Sequence, residues 1–436
     1  MRLIGFNQLE LIFSSLKQSH YSGSLVESPL HPFFEENLKG RVFELKPTDG
    51  KKLSLTDELP LMENSDLEKR LIKEKIPAII LDTHSSFAKE KWAKKHGFRL
   101  IVPAWRFQKK LEDKIFFDRF LQKNKLPVPR SAIITNAVTF KKWSDFPAVF
   151  QVPKSDGSKG TFFVNNKKEL DLLSKKHHFE FPILWREWIT EGLPLGVTLV
   201  IGKTATVISA LRMQAVFNHA DRTDYYGVQW LPTSRLSKKS TDNLNSVLNT
   251  MADALRKMSY RGVANFDLIL KDGQPYFIEC NPRLGGATPL LTWRKDLLHG
   301  EDFIDLFARS LTDETLPDNM NFIPDHDYEG FNLDLDFFAA AHKKQKMAPP
   351  YPVGFCDFEN NKIIYKGLNT SFFHSKSSFF IYHNLPQKTN FSEDRFYGFI
   401  MMHSPLLNSD KKHYYFSESG KKRLDDILAY LTTYII

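Results

Sequence analysis

Residues Ala264 to Pro289, ANFDLILKDGQPYFIECNPRLGGATP, constrain this chain more than any other stretch. Two apolar-rich runs of strand length, Ala264–Leu270 and Pro275–Cys280, flank Lys271-Asp272-Gly273, a hairpin signal. Asp267 and Glu279 are carboxylates inside these otherwise apolar runs, and Asn281 follows Glu279 by two residues. Side chains alternate across a strand, so Glu279 and Asn281 share a face, and Ile278 and Cys280 are expected to point into a core. A two-residue loop at Asp272-Gly273 would pair Asp267 with Ile278 and turn it away from Glu279. A three-residue loop with Gly273 left-handed pairs Asp267 with Phe277 and sets Glu279 diagonally beside it. The second arrangement is the one expected. Converging Asp, Glu and Asn oxygens suit a hard cation such as Mg²⁺, which completes its octahedron with water and phosphate oxygens. Arg283 and the Gly285-Gly286 backbone come next, and both can meet anionic oxygens.

The run D-x11-E-x-N-P-R-x-G-G resembles the metal-binding hairpin of the ATP-grasp superfamily, mainly carboxylate–amine ligases and their relatives. The resemblance spans roughly residues 75 to 312 and is most specific at Asp267–Gly286. It implies a metal set of Asp267, Glu279 and Asn281 for Mg²⁺, or Mn²⁺ in its place, on ATP. It implies catalytic roles for Arg283, at the transferring phosphate, and for Arg212. Lys114 matches a family lysine that approaches ATP phosphate. Gly157, Ser158 and Gly160 lie in Asp156-Gly-Ser-Lys-Gly160, a loop whose N–H groups can meet phosphates and which can close as a flap. Glu187, Trp188 and Ile189 match the adenine hinge. Pro194 and Leu195 fall near the family's ribose-binding acid, for which Glu191 is a substitute. One departure stands out: the family usually has lysine where this chain has Gln151, with Lys154 and Lys159 nearby. Glutamine can still donate to a phosphate or adenine acceptor, so Gln151 is expected to contact nucleotide. On that expectation Gln151→Lys retains or tightens ATP binding.

The chain has 436 residues, which fits two to four domains at about 100–200 residues each. Pro77–Asp82, a helix from Phe87 ended by Gly97, and Phe98–Val102 read as a β-α-β unit with a parallel sheet. Ligands of such sheets sit at the C-terminal strand ends, which makes Thr83, His84 and Ser85 candidates for substrate contact or for helix capping. Leu111–Asn124 reads as an amphipathic helix, Ser240 to Met258 as another, and Ala215 to Leu236 as a long, substrate-facing polar connection holding His219, Arg222, Tyr225 and Tyr226. Residues from about Phe331 to Ile436 alternate short aromatic strands with turns, and are expected to form a structural or oligomerising appendage.

Together these readings give a fold class of α/β and α+β: an ATP-grasp fold with an N-terminal, Rossmann-like pre-ATP-grasp domain (1–110), a lid subdomain with the glycine loop (111–190), a metal- and nucleotide-binding subdomain (191–315), and a C-terminal α+β extension (330–436). Two cysteines exclude a disulfide framework and suit a reducing, cytoplasmic setting. The net charge of +9 comes without a nucleic-acid motif, so polyanionic ATP is a sufficient partner. No apolar run reaches the length of a membrane span. The resemblance implies a C–N bond-forming ligase in which Mg-ATP activates a carboxylate as an acyl phosphate, an amine displaces phosphate, and ADP is released. The partners are then small-molecule carboxylates and amines, with a homo-oligomer compatible. A non-catalytic nucleotide binder and a biotin-carboxylase-like transferase are the alternatives.

Overall fold

The computed structural model describes residues 3–6, 9–14, 21–26, 31–44, 65–73, 75–81, 84–155, 160–218, 223–312, 314–318, 320–342, 345, 353–360, 362–383, 398–409 and 413–435. Three large sheets and a two-stranded one, Leu407–Ser409 with Tyr414–Phe416, organise the described residues. The first is five-stranded and parallel, in the order Val42–Glu44, Tyr21–Val26, Leu3–Phe6, Ala78–Ile80 and Arg99–Ile101. Helix Phe87–His96 connects its last two strands. Ser86 caps that helix by accepting from the Lys89 N–H, and Gly97 ends it in the left-handed region. The β-α-β unit expected between Pro77 and Val102 is thus present in a parallel sheet.

The second sheet is antiparallel, in the order Ser131–Ile134, Ile183–Glu187, Ala148–Gln151 and Thr161–Val164. Helices Ala137–Lys141 and Lys167–Lys176 cover one face through Phe140 and Leu170, burying Phe150 and Trp185. The opposite face looks toward the third sheet.

That third sheet has eleven strands among the described residues. Its path runs Gln274–Asn281, Gly262–Lys271, Leu193–Ile201, Arg212–Asn218, Thr223–Trp230, Phe331–Asp334, Gly398–Met402, Ser378–His383, Gly354–Glu359 and Lys362–Gly367, with Thr206–Ile208 paired to Leu193–Ile201. Helix Lys238–Lys257 packs Leu244, Leu248, Met251 and Leu255 onto it, four residues that recur on one helical face. Helix Lys114–Lys123, capped by Asp113, joins the same core through Phe117, which stacks on Phe266.

Three expectations are corrected here. Ala215 to Leu236 is not mainly a polar excursion: Arg212–Asn218 and Thr223–Trp230 are paired strands, while His219 and Arg222 lie outside the described residues. The C-terminal residues are not an appendage, because Phe331–Asp334 is hydrogen-bonded into the central sheet against Thr223–Trp230. Gly227, at φ +125°, permits that contact, since a Cβ there would overlap the Asn332 carbonyl. The hairpin of Gly262–Lys271 and Gln274–Asn281 turns on two residues, Asp272 (φ 51°) and Gly273 (φ 80°), rather than three. Both are left-handed, as a tight twisted hairpin requires.

Candidate active site

The two-residue turn alone would have set Asp267 and Glu279 on opposite faces. A bulge prevents this. Pairing runs Lys271 with Gln274 through Leu268 with Phe277, shifts by one residue at Ile278, and resumes with Asp267 opposite Glu279 and Asn265 opposite Asn281. Two odd offsets cancel, and both carboxylates arrive on one face, directly opposed rather than diagonal. Ile278 is consequently only half-buried, and Phe277 and Cys280 are the core-facing residues at 0% exposure.

Around Asp267 the donors converge. Gln214 Nε2 donates to Oδ1 at 2.5 Å, and Asn281 Nδ2 to Oδ2 at 3.4 Å. Burial and the Glu279 carboxylate push the Asp267 carboxyl up to about 7, against the pull of Arg212, Gln214 and Arg283. Asp267 is ringed by protein yet still touched by solvent. Two carboxylates directly opposed in this way favour a cation between them. Among the described residues no three His, Cys, Asp or Glu side chains converge as a metal cage. Two carboxylates and an amide nevertheless fit Mg²⁺, which keeps water and phosphate among its ligands.

Lys114 opens its helix and is 3% exposed. Its Nζ lies 3.1 Å from Glu279 Oε1 and donates to the Ser155 carbonyl at 3.2 Å, so it joins the hairpin to the entrance of the glycine loop. Gly157, Ser158 and Lys159 lie outside the described residues; Gly160 is described and buried against Val152 and Ser155. Gln151 is 4% exposed and already engaged: Oε1 accepts from Arg186 Nη1 at 3.2 Å, and Nε2 donates to Thr161 Oγ1 at 3.2 Å. Lys154 is exposed.

Glu187 follows Arg186 on one strand and therefore faces the other way. Its carboxylate accepts from Arg130 Nε at 2.9 Å on the outer face, and the Trp188 N–H donates to the Pro147 carbonyl. A recess of about 410 Å³ opens there, lined by Arg130, Glu187, Trp188, Ile189 and, from the hairpin, Lys271 and Tyr276. Glu191 is exposed, and its φ is +58°.

Among the described residues, Arg283 Nε is buried without a hydrogen-bond partner and the nearest anion is Glu112, at 3.6 Å. Glu112 in turn meets His84 Nε2 at 2.5 Å. Ser85 N–H donates to Gln108 Oε1, whose Nε2 donates to the Pro282 carbonyl, so the strand-end loop of the N-terminal unit is pinned to the loop that follows the hairpin. Thr83 lies outside the described residues. Arg212 is 4% exposed and sits behind the hairpin, donating to Thr198 Oγ1 at 3.0 Å and to Asn265 Oδ1 at 3.1 Å. Asn265 Nδ2 passes the connection to the Arg283 carbonyl at 2.6 Å.

Four residues at this site were not singled out from the sequence: Arg186, Gln214, Glu112 and Asn332. Arg186 carried the same signal as Asp267, a charge inside an apolar run. Asn332, from the C-terminal strands, donates to the Gly286 carbonyl at 2.9 Å, and nothing local in its sequence announces this.

Two sheets facing across a cleft, with an oxygen-lined hairpin at its base, define a nucleotide-clamp architecture. Residues 111–287 match the family model of the ATP-grasp domain. Carbamoyl phosphate synthase arginine-specific large chains align over 45% of this chain, at 20% identity in Geobacillus stearothermophilus and 23% in Halalkalibacterium halodurans. The chain spans about a fifth of the length of these curated relatives (18% and 20%). The biotin carboxylase domain of Hydrogenobacter thermophilus 2-oxoglutarate carboxylase, solved with MgADP, ADP and bicarbonate, superposes with TM-score 0.60 at 12% identity, over 92% of this chain and 86% of that one. N5-carboxyaminoimidazole synthase from Aspergillus clavatus, solved with ADP and 5-aminoimidazole ribonucleotide, gives 0.57 at 12% identity, over 98% and 99%. These likenesses extend across the C-terminal strands, which belong to the shared fold. Among the described residues no helix is long and apolar enough to cross a membrane.

Proposed function

We propose that this chain is a Mg-ATP-dependent ligase that activates a carboxylate as an acyl phosphate, passes the acyl group to an amine or similar nucleophile, and releases ADP and phosphate. The observation that supports this best is the direct pairing of Asp267 with Glu279, with Asn281 beside them. Bound there, Mg²⁺ neutralises charge on the outer phosphates. The chain's own groups do the rest. Lys114 steers phosphate between the hairpin and the glycine loop. Arg283, its Nε unpartnered, meets the transferring group from the far side. Gly285 and Gly286 leave room for an acid beside it. The hinge recess at Glu187–Ile189 takes the base. Phosphoryl transfer of this kind is mostly positioning and electrostatics, and no covalent nucleophile is required of the protein.

The fold neighbours favour a second reading, in which the acid is bicarbonate and the activity is carboxylase-like. One experiment addresses both. ATP turnover is followed in the presence of Mg²⁺ with a panel of organic acids and amines, and separately with bicarbonate alone. Acid-dependent ADP release supports the ligase, and bicarbonate-dependent release supports the carboxylase. Tight Mg-ADP binding with no turnover under any condition points to a non-catalytic binder.

A further inference from the structure

Arg186 is the only arginine or lysine in the strand Ile183–Glu187, and it is 2% exposed. Its bonds cross the cleft. Nε and Nη2 lie 3.2 and 3.1 Å from Asp118 Oδ1, Nη1 lies 3.2 Å from Gln151 Oε1, and the same Nη1 donates to the Ile278 carbonyl at 2.6 Å. The first two partners sit on helix Lys114–Lys123 and strand Ala148–Gln151, whereas Ile278 is the bulged residue of the metal hairpin.

We propose that Arg186 is a positioning residue for the metal site: it holds the Ile278 bulge across the cleft, so fixing the face of Glu279, and it requires a neutral partner at Gln151. This rests on the reading that the hairpin binds a Mg-nucleotide. A bulge leaves a residue outside the pairing ladder, and a buried carbonyl without a partner is costly. Arg186 supplies the partner as a charge-assisted hydrogen bond. Without it the hairpin gains by regularising its register, and a one-residue slip turns Glu279 off the face of Asp267.

The position of Gln151 follows from the same geometry. A buried guanidinium needs its counterion, and Asp118 is that anion. Asp118 has no capacity to spare, because Oδ2 already accepts from Ser131 Oγ at 2.7 Å and Gln122 Nε2 at 2.8 Å. A lysine at 151 would bring a second cation against Arg186, and the other carboxylate that acts on Arg186, Glu279, is already paired with Lys114 at 3.1 Å. The cation of this corner stands on Ile183–Glu187, and the chain at 151 is neutral to match. The sequence-based expectation for Gln151→Lys is therefore reversed.

The experiment uses the full chain, with Mg-ADP and ADP in EDTA as calorimetric probes. Four variants are compared: Arg186→Lys, Arg186→Met, Gln151→Lys, and Gln151→Lys combined with Arg186→Met. The three single variants are expected to lose at least about tenfold in Mg-ADP affinity, about 1.4 kcal/mol, while metal-free ADP affinity changes less than about threefold. That split separates a metal-positioning role from general loosening of the fold, which lowers both. The double variant moves the cation to 151, beside the place that the Arg186 guanidinium vacates, and is expected to recover to within about threefold of the parent. If Arg186→Met does not fold, Arg186→Lys and Gln151→Lys decide the matter. Folded single variants that bind Mg-ADP like the parent overturn the inference and leave the ligase reading intact. A parent chain that does not bind Mg-ADP overturns both.

Discussion

Lys114 and Glu279 form an ion pair at 3.1 Å in which the lysine is buried and the glutamate half-buried, and the same ammonium reaches the Ser155 carbonyl. The pair links Ser155, where the glycine loop begins, to the Gly262–Asn281 hairpin. On the proposed reading a Mg-nucleotide would offer Lys114 a phosphate and Glu279 a cation, so both partners would exchange one opposite charge for another. Lys114→Ala is expected to weaken Mg-ADP binding at least about tenfold, in line with a lost charge-assisted contact of about 1.5–3 kcal/mol. Its cost in stability is smaller, about 1 kcal/mol, because solvent reaches Glu279. Calorimetry and thermal unfolding of the same preparation check both numbers. A variant with unchanged affinity removes Lys114 from the site.

Asp267 sets a pH dependence whose sign is fixed. Its carboxyl lies at about 7 in the folded chain against an ordinary 3.8. Between those values the folded chain holds a proton that the unfolded chain has lost. Stability from this group is therefore present below 3.8 and lost as pH rises through about 7. In EDTA, the parent is expected to lose about 1–2 kcal/mol relative to Asp267→Asn between about pH 5.5 and 8.5, a value reduced for the solvent that reaches the site. Chemical denaturation at the two pH values measures it. A constant difference between parent and variant refutes the shift.

Much of this site was legible because polar residues in strand-length apolar runs are costly and need a reason. Asp267, Glu279 and Asn281 stood out in that way, and Gly285-Gly286 followed them. The facing of the carboxylates was also correct, but for the wrong cause. An offset at the turn and an offset at Ile278 have the same effect on facing, and sequence does not separate them. Arg186 was equally conspicuous, yet its partners lie 68, 35 and 92 residues away, so its role depended on tertiary contacts. The C-terminal strands were seen as strands. Their place in the central sheet depends on Gly227 meeting Asn332, a long-range pairing with no local signature.

Asn332 gives that long-range pairing a functional test. Its Nδ2 donates to the Gly286 carbonyl, and Oδ1 is buried without a partner among the described residues. Asn332→Ala removes one hydrogen bond worth about 1 kcal/mol and frees the loop behind Arg283. Turnover is expected to fall about three- to tenfold, with Mg-ADP affinity unchanged, because the hairpin itself is untouched. Steady-state kinetics beside calorimetry separate the two. A parallel loss of Mg-ADP affinity shows that the loop serves nucleotide binding instead.

The identity of the products tests how charge is distributed along the hairpin. On the proposed reading, Asp267, Glu279 and Asn281 would hold a cation on the outer phosphates, with Arg283 next on the same loop. Stabilisation would then be gathered at the γ-phosphoryl group, where an acid beside Gly285-Gly286 would attack. An adenylating enzyme instead needs its donors around the α-phosphate. With a substrate that supports turnover, ADP and phosphate are the expected products, in step with the new amide. Glu279→Gln is expected to lose at least about a hundredfold in kcat, a loss of about 2.7 kcal/mol in transition-state stabilisation, because it removes charge where the metal sits. The variant should remain folded, since Glu279 is half-buried and its neighbour Lys114 keeps two partners at Ser155. Chromatography of the nucleotide products decides the first point, and circular dichroism with kinetics the second. AMP accumulating with product, or full activity in Glu279→Gln, would show that the hairpin does not act on the γ-phosphoryl group.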